Sequence, residues 1–266
     1  MTAQLLEETD GLELPSRQPL ADQTCLVTGA SRGIGRSIAC ELGRYGATVV
    51  VNYRSSEAAA HEVAETISDT DGDGEGYPVQ ADVTDRDDVD AMREGVHDEL
   101  GEIDVLVNNA GITQDRLFAD MSPEEWHRAI DVSLNGAFNC THAFYDDIKA
   151  ADDGRLIAIS SVVGKQGNVG QANYAAAKSG LFGFIRSLAL ELAPSGSTAN
   201  CVAPGFTRTE MVEAIPDDVQ AEIRDEIPLD RFASTSDIAG LVRYLASEEA
   251  GYITGEVIDV NGGIDL

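Results

Sequence analysis

Short apolar runs alternate with longer amphipathic segments along most of the chain. The runs are rich in Val, Ile and Leu and have the length of buried strands, whereas the segments between them have helical spacing. We expect strands near 24–28, 47–52, 77–80, 103–108, 154–160, 198–203 and 256–260. We expect helices over 33–45, 56–68, 85–100, 122–150, 172–193 and 235–247. This alternation predicts an α/β fold, a single doubly wound domain whose seven-stranded parallel sheet has helices on both faces.

The first residues do not follow this pattern. Residues 1–20 are acidic, include Pro15 and Pro19, and lack the charge pattern of a signal peptide. We therefore expect an N-terminal arm over 1–20 and the folded domain over 21–266. The chain contains no apolar run of the roughly 18 residues that a membrane-spanning helix needs, so we expect no membrane partner.

The charge of the chain is extreme for its length. Its 266 residues include 47 acidic and 18 basic ones, a formal net charge of −29. Such a surface makes nucleic acid an unsuitable partner. Its carboxylates would repel one another in dilute buffer, but the Debye length, over which charges interact, shortens to about 3 Å near 1 M salt. We interpret the source as halophilic, of haloarchaeal type, with an ordinary acidic enzyme as the alternative.

The cysteines and histidines do not form a recognisable metal site. Cys25, Cys40, Cys140 and Cys201 have no metal-ligand spacing, and the four histidines are scattered. All but Cys40 lie in apolar or small-residue segments, as reduced, buried thiols do. We therefore expect a cytoplasmic protein without a metal ion.

A glycine-rich turn follows the first predicted strand. Gly29, Gly33 and Gly35 occur in the run TGASRGIG with the spacing G-x3-G-x-G, a variant of the common dinucleotide motif. Glycine lets the backbone approach a pyrophosphate, which binds at the N-terminus of the following helix. Because strand, turn and helix come in the required order, this segment predicts a dinucleotide-binding site.

The residues at the end of the second predicted strand indicate which dinucleotide binds. An enzyme that prefers NAD usually has a carboxylate there for the ribose 2′-hydroxyl, but this chain has Asn52, Tyr53 and Arg54. Arg32 lies in the glycine-rich turn itself. Guanidinium groups match the geometry of a 2′-phosphate, so we expect NADPH/NADP+. The alternative for Arg54 is a solvated loop arginine.

The most informative spacing is S-x12-Y-x3-K, formed by Ser161, Tyr174 and Lys178. On a helix, Tyr174 and Lys178 share one face, and the ammonium can lower the pKa of the phenol from about 10 towards neutrality. Such a phenol can give a proton to an alkoxide or take one from an alcohol. Ser161 can hold a carbonyl oxygen by a hydrogen bond. The three residues therefore predict a catalytic site for ketone reduction or alcohol oxidation.

From about residue 21 to its end, the chain resembles the classical short-chain dehydrogenase/reductases. The resemblance rests on residues 28–35, on the NNAG run at 108–111, on Y-x3-K and on Pro204-Gly205. It implies a Rossmann-like fold. Together with the motifs above, it predicts cofactor contacts from Gly29, Ser31, Arg32, Gly33, Ile34, Gly35, Asn52, Tyr53, Arg54, Asp82, Val83, Asn109, Ala110, Gly111, Tyr174, Lys178, Pro204, Gly205, Thr207 and Thr209.

One position departs from the family's pattern. Members of the family usually carry an Asn in the segment after NNAG, where it anchors a water of the proton relay. Ser133 takes that place here, and Asn135 lies two residues further on. A hydroxyl both donates and accepts, so Ser133 is a candidate fourth catalytic residue.

Within the family, the runs GNVGQANYAAAKSG, VAPGFTRTEM and YITGEVIDVNGG resemble the 3-oxoacyl-thioester reductases. The resemblance implies reduction of a 3-oxoacyl thioester by NADPH. We expect acetoacetyl-CoA as the substrate. Its reduction would supply the precursor of polyhydroxyalkanoate synthesis. An acidic chain with three lysines offers little to an acidic acyl carrier protein, and such synthesis is common in a haloarchaeal host.

Three alternatives stay open. They are a 3-oxoacyl-acyl-carrier-protein reductase of fatty-acid synthesis, a dehydrogenase of a sugar, steroid or other secondary alcohol, and a regulator that binds NADP(H) without turnover. The intact Ser161, Tyr174 and Lys178 argue against the regulator. The family resemblance also implies a homotetramer, formed through the helices over 122–150 and 172–193, and a helical lid over 210–232.

Overall fold

The computed structural model describes residues 18–70, 73–209, 212 and 216–265. Most of the predicted arm, residues 1–17, lies outside the described residues. At its end, Leu20 is fully buried, and its N–H donates to the carbonyl oxygen of Tyr45 at 3.2 Å. This last part of the expected arm therefore packs onto the domain.

Seven parallel strands form one sheet, as the pattern of apolar runs predicts. Their order across the sheet is β3-β2-β1-β4-β5-β6-β7, so the direction of winding reverses between β1 and β4. In open sheets of this kind, a ligand binds at the carboxyl ends of the strands beside that reversal. The strands are β1 Thr24–Val27, β2 Thr48–Tyr53, β3 Glu75–Gln80, β4 Val105–Asn108, β5 Arg155–Ile159, β6 Thr198–Pro204 and β7 Val257–Val260.

Helices cover both faces of the sheet. The α-helices of the described residues are α1 Gly33–Arg44, α2 Glu57–Ser68, α3 Arg86–Leu100, α4 Pro123–Ile130, α5 Gly136–Ala143, α6 Tyr145–Ala150, α7 Val163–Gln166, α8 Ala172–Leu192, α9 Asp217–Asp225 and α10 Thr235–Ala246. Short 3₁₀ turns occupy Phe118–Asp120, Ala193–Ser195 and Glu248–Ala250.

Two apolar clusters form the core, one on each face of the sheet. On one face, Leu42 of α1 and Leu245 of α10 pack against residues such as Val27 of β1. On the other, Leu181 of α8 and Leu26 of β1 belong to the second cluster. Neighbouring strand residues thus bury their side chains on opposite faces, as parallel strands covered on both sides do.

The prediction of a single helix over 122–150 is wrong. Helix α4 ends at Ile130, a π-helical turn covers Asp131–Asn135, and α5 and α6 meet at Phe144. The wide turn buries Ser133 and leaves Asn135 exposed. Gly136 follows the turn because a Cβ there would lie 2.7 Å from Val83 Cγ2. The segment after the turn therefore packs closely on Val83, just beyond the end of β3.

The thiol predictions are confirmed for the described residues. Cys25, Cys140 and Cys201 are buried, and all four cysteines are free. Burial raises the pKa of Cys140 and of Cys201 to about 12, so both thiols stay protonated at neutral pH. Within the part of the chain that the structure describes, no helix has the length and apolar character to cross a bilayer.

Candidate active site

One cleft of about 670 Å³ lies at the carboxyl ends of the strands, beside the reversal between β1 and β4. All twenty residues predicted to contact the cofactor line this cleft. Ser161 lines it too, whereas Ser133 does not, although its neighbour Val132 does. The fold therefore brings residues that are far apart in the sequence to a single site.

The glycine-rich turn between β1 and α1 needs its glycines for two reasons. Gly29 and Gly33 have φ angles of 63° and 57°, in the left-handed region that favours glycine. Gly35 begins the buried face of α1, where a Cβ would lie 2.5 Å from Asn109 Nδ2 and from the carbonyl oxygen of Gly29. Any larger residue at this position would push the turn away from the end of β4.

The turn is held in place by side chains from neighbouring strands. Thr28 Oγ1 accepts hydrogen bonds from the backbone N–H groups of Asn109 and Ala110, each at 3.0 Å. Asn109 Nδ2 donates to the carbonyl oxygens of Thr28, at 2.9 Å, and Gly29, at 3.2 Å. Asn52 Oδ1 accepts from the N–H of Gly29 at 3.1 Å. The side chains of Asn52 and Asn109 thus brace the turn, although the sequence identified both only as cofactor contacts.

The N-terminus of α1 suits an anionic group. Arg32 precedes the helix and makes no side-chain cap, and the first turn of the helix has no acidic residue. The first N–H groups of a helix lack intrahelical partners and carry partial positive charge. Because Gly33 leaves this terminus open towards the cleft, the residues present fit the pyrophosphate of a dinucleotide.

The end of β2 forms another part of the cleft wall. Tyr53 is buried here, and Arg54 is exposed with its Nη1 3.9 Å from Asp82 Oδ2. Arg32, also exposed, lines the cleft as well. Asp82 Oδ1 accepts from the hydroxyl and N–H of Thr84, at 2.8 and 3.0 Å. Two guanidinium groups and the carboxylate of Asp82 therefore line this end of the cleft, and Asp88 Oδ2 accepts from the N–H of Asp82 at 3.1 Å.

The structure brings Ser161, Tyr174 and Lys178 together in the cleft. Ser161 follows β5, and its Oγ accepts from the N–H of Val163 at 3.2 Å, at the start of α7. Tyr174 and Lys178 share one face of α8, with the Lys178 Nζ 5.7 Å from the centre of the phenol ring. Lys178 Nζ donates to the carbonyl oxygen of Ile159 at 2.7 Å. The i,i+4 pairing predicted from the sequence therefore exists, but the ammonium donates to the backbone.

The expectation that Lys178 lowers the pKa of the Tyr174 phenol is wrong for this structure. Burial raises the pKa of Tyr174 above 10.0, a hydrogen bond with Ser161 opposes this shift, and the charge of Asp115 adds to it. Burial also lowers the pKa of Lys178 from its ordinary value of 10.5 to about 8. Both shifts have the same first cause, since burial disfavours phenolate and ammonium alike.

Ser133 lies behind the cleft wall, and its hydroxyl makes no hydrogen bond. Its side chain is 1% exposed, and its Oγ has no hydrogen-bond partner. The position that a Cβ of Gly111 would occupy is 3.3 Å from Ser133 Oγ and 3.2 Å from Lys178 Nζ. The π-helical turn therefore directs a free hydroxyl towards the same small space as the lysine. Asn135 is exposed and bonds to Asp131 Oδ1 instead.

The turn after β6 closes the cleft from the other side. Gly205 is required there because a Cβ would lie 2.8 Å from Asn261 Cα. Thr207 is buried and donates to the carbonyl oxygen of Gly205 at 3.1 Å, while Thr209 faces the glycine-rich turn. Of the expected lid over 210–232, residues 210, 211 and 213–215 lie outside the described residues. The lid remains a prediction, and Val212 lines the cleft.

Sequence reasoning missed residues that support the catalytic side chains. Asn173 Nδ2 donates to the carbonyl oxygens of Gln114 and Glu125, at 3.1 and 3.0 Å, just before Tyr174. Ser160 Oγ donates to the carbonyl oxygen of Lys178 at 2.8 Å. Both residues directly precede a predicted catalytic residue, which is the signal that could have identified them. Among the residues described, no group of three or more His, Cys, Asp or Glu could hold a metal ion.

A doubly wound parallel sheet with a glycine-rich turn at its reversal defines a dinucleotide-binding protein of the α/β class. A family model described as Enoyl-(Acyl carrier protein) reductase matches residues 29–265. The chain belongs to this short-chain dehydrogenase/reductase family, whose members are oxidoreductases that act on CH–OH and ketone groups.

Curated relatives are similar over nearly their whole length. A 3-oxoacyl-[acyl-carrier-protein] reductase FabG of Staphylococcus aureus (strain Mu50 / ATCC 700699) is 47% identical over 242 residues, 91% of this chain and 98% of the relative. The enzyme of the same name from Escherichia coli (strain K12) is 47% identical over 239 residues, 90% of this chain and 96% of the relative. One from Staphylococcus epidermidis (strain ATCC 12228 / FDA PCI 1200) is 45% identical over 243 residues, 91% of this chain and 99% of the relative.

Proposed function

We propose that this enzyme uses NADPH to reduce a 3-oxoacyl thioester to the 3-hydroxyacyl thioester. The observation that carries the proposal is the meeting of Ser161, Tyr174 and Lys178 in the cleft beside the glycine-rich turn. The printed names of relatives at 45–47% identity support the 3-oxoacyl substrate. Reduction of a ketone needs a proton donor at the carbonyl oxygen, and the Tyr174 phenol has the right chemistry.

The proposed roles follow from the environments of the side chains. NADPH, when bound, supplies the hydride. Ser161 orients the ketone oxygen with its hydroxyl, and Tyr174 donates the proton to that oxygen. Because the raised pKa keeps the phenol protonated at neutral pH, Tyr174 is ready to act as an acid. Lys178 holds the nicotinamide ribose, and Ser133 holds a water near the lysine with its free hydroxyl.

We propose NADPH rather than NADH because of the charge at the end of β2. Arg32 and Arg54 line the cleft there, and the carboxylate that lines it beside them, Asp82, already accepts from Thr84 and lies 3.9 Å from Arg54. Arg54→Asp should weaken NADPH binding about tenfold or more and change NADH binding little, since a charge-assisted contact contributes about 1.5–3 kcal/mol. Arg44→Asp, outside the cleft, is the matched control. A wild-type preference for NADH in kcat/KM would contradict the proposal.

The carrier of the acyl group has two candidates. The names of the relatives support acyl carrier protein, which makes a 3-oxoacyl-acyl-carrier-protein reductase the better supported identity. The net charge of −29 favours CoA, as in an acetoacetyl-CoA reductase, since two acidic proteins repel each other at low salt. Competition between acetoacetyl-CoA and acetoacetyl-acyl carrier protein for one enzyme measures the preference. A higher kcat/KM for the carrier protein at every salt concentration would exclude CoA as the preferred carrier.

We also propose a cytoplasmic, salt-adapted homotetramer. Leu190 of α8 and Phe138 of α5 are 80% and 44% exposed, which leaves apolar surface on the helices that would form the subunit contacts. The excess of acidic over basic residues supports the salt adaptation. Sedimentation in molar KCl tests the assembly. A stable monomer there would rule the tetramer out, and equal stability in dilute and molar KCl would rule out salt adaptation.

The deciding experiment is a steady-state assay of NADPH consumption with acetoacetyl-CoA in molar KCl. Saturable, thioester-dependent oxidation of NADPH supports the proposal. Oxidation of sugars or steroids with no thioester activity would favour a dehydrogenase of other secondary alcohols. Tight NADPH binding without turnover of any carbonyl substrate would favour a regulator.

A further inference from the structure

A small apolar cluster lies apart from the two core clusters and borders the cleft. Its buried members are Val212, Ile227 and Phe232, and Phe206 packs against them. Phe206 and Val212 also line the cleft. Neither residue has a role in the chemistry above. The cleft wall that they form is therefore apolar, and further apolar side chains lie behind it.

Backbone hydrogen bonds hold Phe206 beside the catalytic segment. The N–H of Val162, the residue after Ser161, donates to the carbonyl oxygen of Pro204 at 2.8 Å. On the other side, the N–H of Ala233 donates to the carbonyl oxygen of Phe206 at 3.0 Å. These bonds join the turn after β6 to the segment that carries the catalytic serine. Phe206 therefore belongs to the wall next to the reacting groups.

The cluster behind Phe206 is closely packed. The rings of Phe206 and Phe232 have their centres 6.4 Å apart and are tilted by 58°. A Cβ at Gly262 would lie 2.7 Å from Ile227 Cγ2, so the cluster reaches the backbone of the turn after β7. A packed apolar region admits no further methylene group unless its side chains move. The wall at Phe206 therefore closes the cleft on this side.

The cleft is bordered by exposed residues at the turn before α8. Gln171 lines the cleft there, and Val169, two residues earlier, is 83% exposed. The N–H of Arg116 donates to the carbonyl oxygen of Gly170 at 2.8 Å, which joins this turn to the segment after β4. On that segment Phe118 is 76% exposed. A group that passes these residues stays in contact with solvent.

The two ends of a 3-oxoacyl thioester have different requirements. The thioester end is attached to CoA or to a carrier protein, which is too large for the cleft and has to remain in solvent. The other end is a free hydrocarbon tail, and its transfer from water to an apolar surface is favourable. With the ketone at Ser161 and Tyr174, the thioester end leaves past the exposed turn and the tail meets the closed apolar wall.

We propose that Phe206 is a specificity-determining residue that contacts the acyl tail and limits it to about four carbons, because the cluster behind the ring is filled. The proposal rests on the proposed reduction of a 3-oxoacyl thioester, and it narrows that substrate class to short chains. It assigns the wall formed by Phe206 and Val212 to the tail of the substrate rather than to its carrier.

The test compares kcat/KM for acetoacetyl-CoA and 3-oxohexanoyl-CoA, with NADPH in molar KCl, between wild type and Phe206→Ala. Wild type should prefer acetoacetyl-CoA. Removal of the ring leaves a space continuous with the cleft, which the two additional methylene groups can fill. Each buried methylene group contributes about fourfold, so the ratio of kcat/KM for the longer to the shorter substrate should rise about tenfold.

Two further variants make the comparison decisive. Phe206→Leu removes less volume, disturbs the fold less, and should raise the same ratio by a smaller factor. Phe118→Ala removes an exposed ring at the open side of the cleft and is the matched control, in which the ratio should stay unchanged. Because both substrates use the same cofactor, a change in NADPH affinity does not alter the ratio.

The outcomes distinguish the tail contact from the proposed function. A ratio that rises in both Phe206 variants and stays constant in Phe118→Ala supports the proposal. An unchanged ratio in active Phe206 variants, or a ratio that falls in Phe118→Ala, would overturn it and place the tail at the open side. A wild-type preference for 3-oxohexanoyl-CoA would overturn the limit on chain length. Wild-type enzyme that reduces no 3-oxoacyl thioester would instead contradict the proposed function.

Discussion

The two walls of the cleft use their buried polar groups differently. On the wall formed by the glycine-rich turn, Thr28, Asn52 and Asn109 all bond to backbone groups of neighbouring strands. Behind the catalytic wall, Ser133 Oγ has no partner, whereas Lys178 Nζ donates to the carbonyl oxygen of Ile159. Lys178 is buried there with a lowered pKa. The named side chains around the turn are therefore committed to its shape, whereas the catalytic side has a buried hydroxyl without a partner.

This difference follows from what each wall does. A dinucleotide is held largely by backbone groups, so the side chains around the turn serve best by fixing its shape. Catalysis instead needs side chains whose protonation can change and whose hydrogen bonds are not all satisfied beforehand. Buried groups without partners lower stability, and such a penalty is typical of functional sites. We therefore expect substitutions on the two walls to change different properties.

The largest effect should come from the catalytic wall. Tyr174→Phe removes the proton donor and should lower kcat at least about a hundredfold, the scale of lost general acid catalysis. NADPH affinity should stay near that of wild type, because the ring remains in the cleft wall. Stopped-flow turnover and fluorescence titration of NADPH measure the two properties. Turnover close to wild type would remove Tyr174 from the role of acid.

A substitution beside the glycine-rich turn should instead lower stability and NADPH affinity. Thr28→Val leaves the N–H groups of Asn109 and Ala110 without their acceptor, which should lower the free energy of unfolding by about 1–3 kcal/mol. NADPH affinity should fall with it, because the turn loses its brace. Thr66→Val, at an exposed position of α2, is the matched control. Unchanged stability and NADPH affinity in Thr28→Val would show that these two hydrogen bonds contribute to neither property.

Much of the fold was predictable because its signals are local. Apolar runs identify the strands, and the glycine spacing identifies the turn between β1 and α1, since each depends on neighbours in the sequence. The brace at Thr28 depends on Asn109, 81 residues away, which no local pattern contains. The broken helix over 122–150 was missed because the π-helical turn over Asp131–Asn135 contains no proline or glycine that would mark a break in the sequence.

The catalytic residues were predictable as a set, but their electrostatics were not. The spacing of Tyr174 and Lys178 gives their common helix face, and the structure agrees. The direction of the phenol pKa depends on burial and on Asp115, and these depend on how distant segments pack. The sequence therefore indicates which side chains meet but not the direction in which their pKa values shift.

Two buried serines, Ser133 and Ser160, provide a smaller test of the same contrast. Ser133→Ala should lower kcat several-fold while raising the free energy of unfolding, because it removes a buried hydroxyl that has no hydrogen-bond partner. Ser160→Ala removes a buried hydrogen bond to the Lys178 carbonyl and should lower stability by about 1 kcal/mol. Chemical denaturation and turnover measure both. Equal stability losses in the two variants would contradict the distinction.

An effect of similar size is a pH dependence of stability that arises at Lys178. Its folded-state pKa of about 8 lies below its ordinary value of 10.5, so above pH 8 the unfolded chain binds more protons. Stability should rise from pH 8 to 9 more steeply in wild type than in Lys178→Met, by up to about 1.4 kcal/mol per pH unit. Above pH 9 the buried thiols oppose this trend, because the raised pKa values of Cys140 and Cys201 keep them protonated when folded. Parallel curves for both proteins between pH 8 and 9 would contradict a lysine destabilised by burial.

The most direct test of the account is one comparison of wild type and Tyr174→Phe in the same buffer, with NADPH and acetoacetyl-CoA in molar KCl. Both NADPH affinity and thioester-dependent NADPH consumption are measured for each protein. We predict saturable consumption in wild type, its loss by at least about a hundredfold in the variant, and equal NADPH affinity in both. Consumption that survives the substitution, or a wild-type enzyme that binds NADPH and leaves every 3-oxoacyl thioester unreduced, would contradict the account.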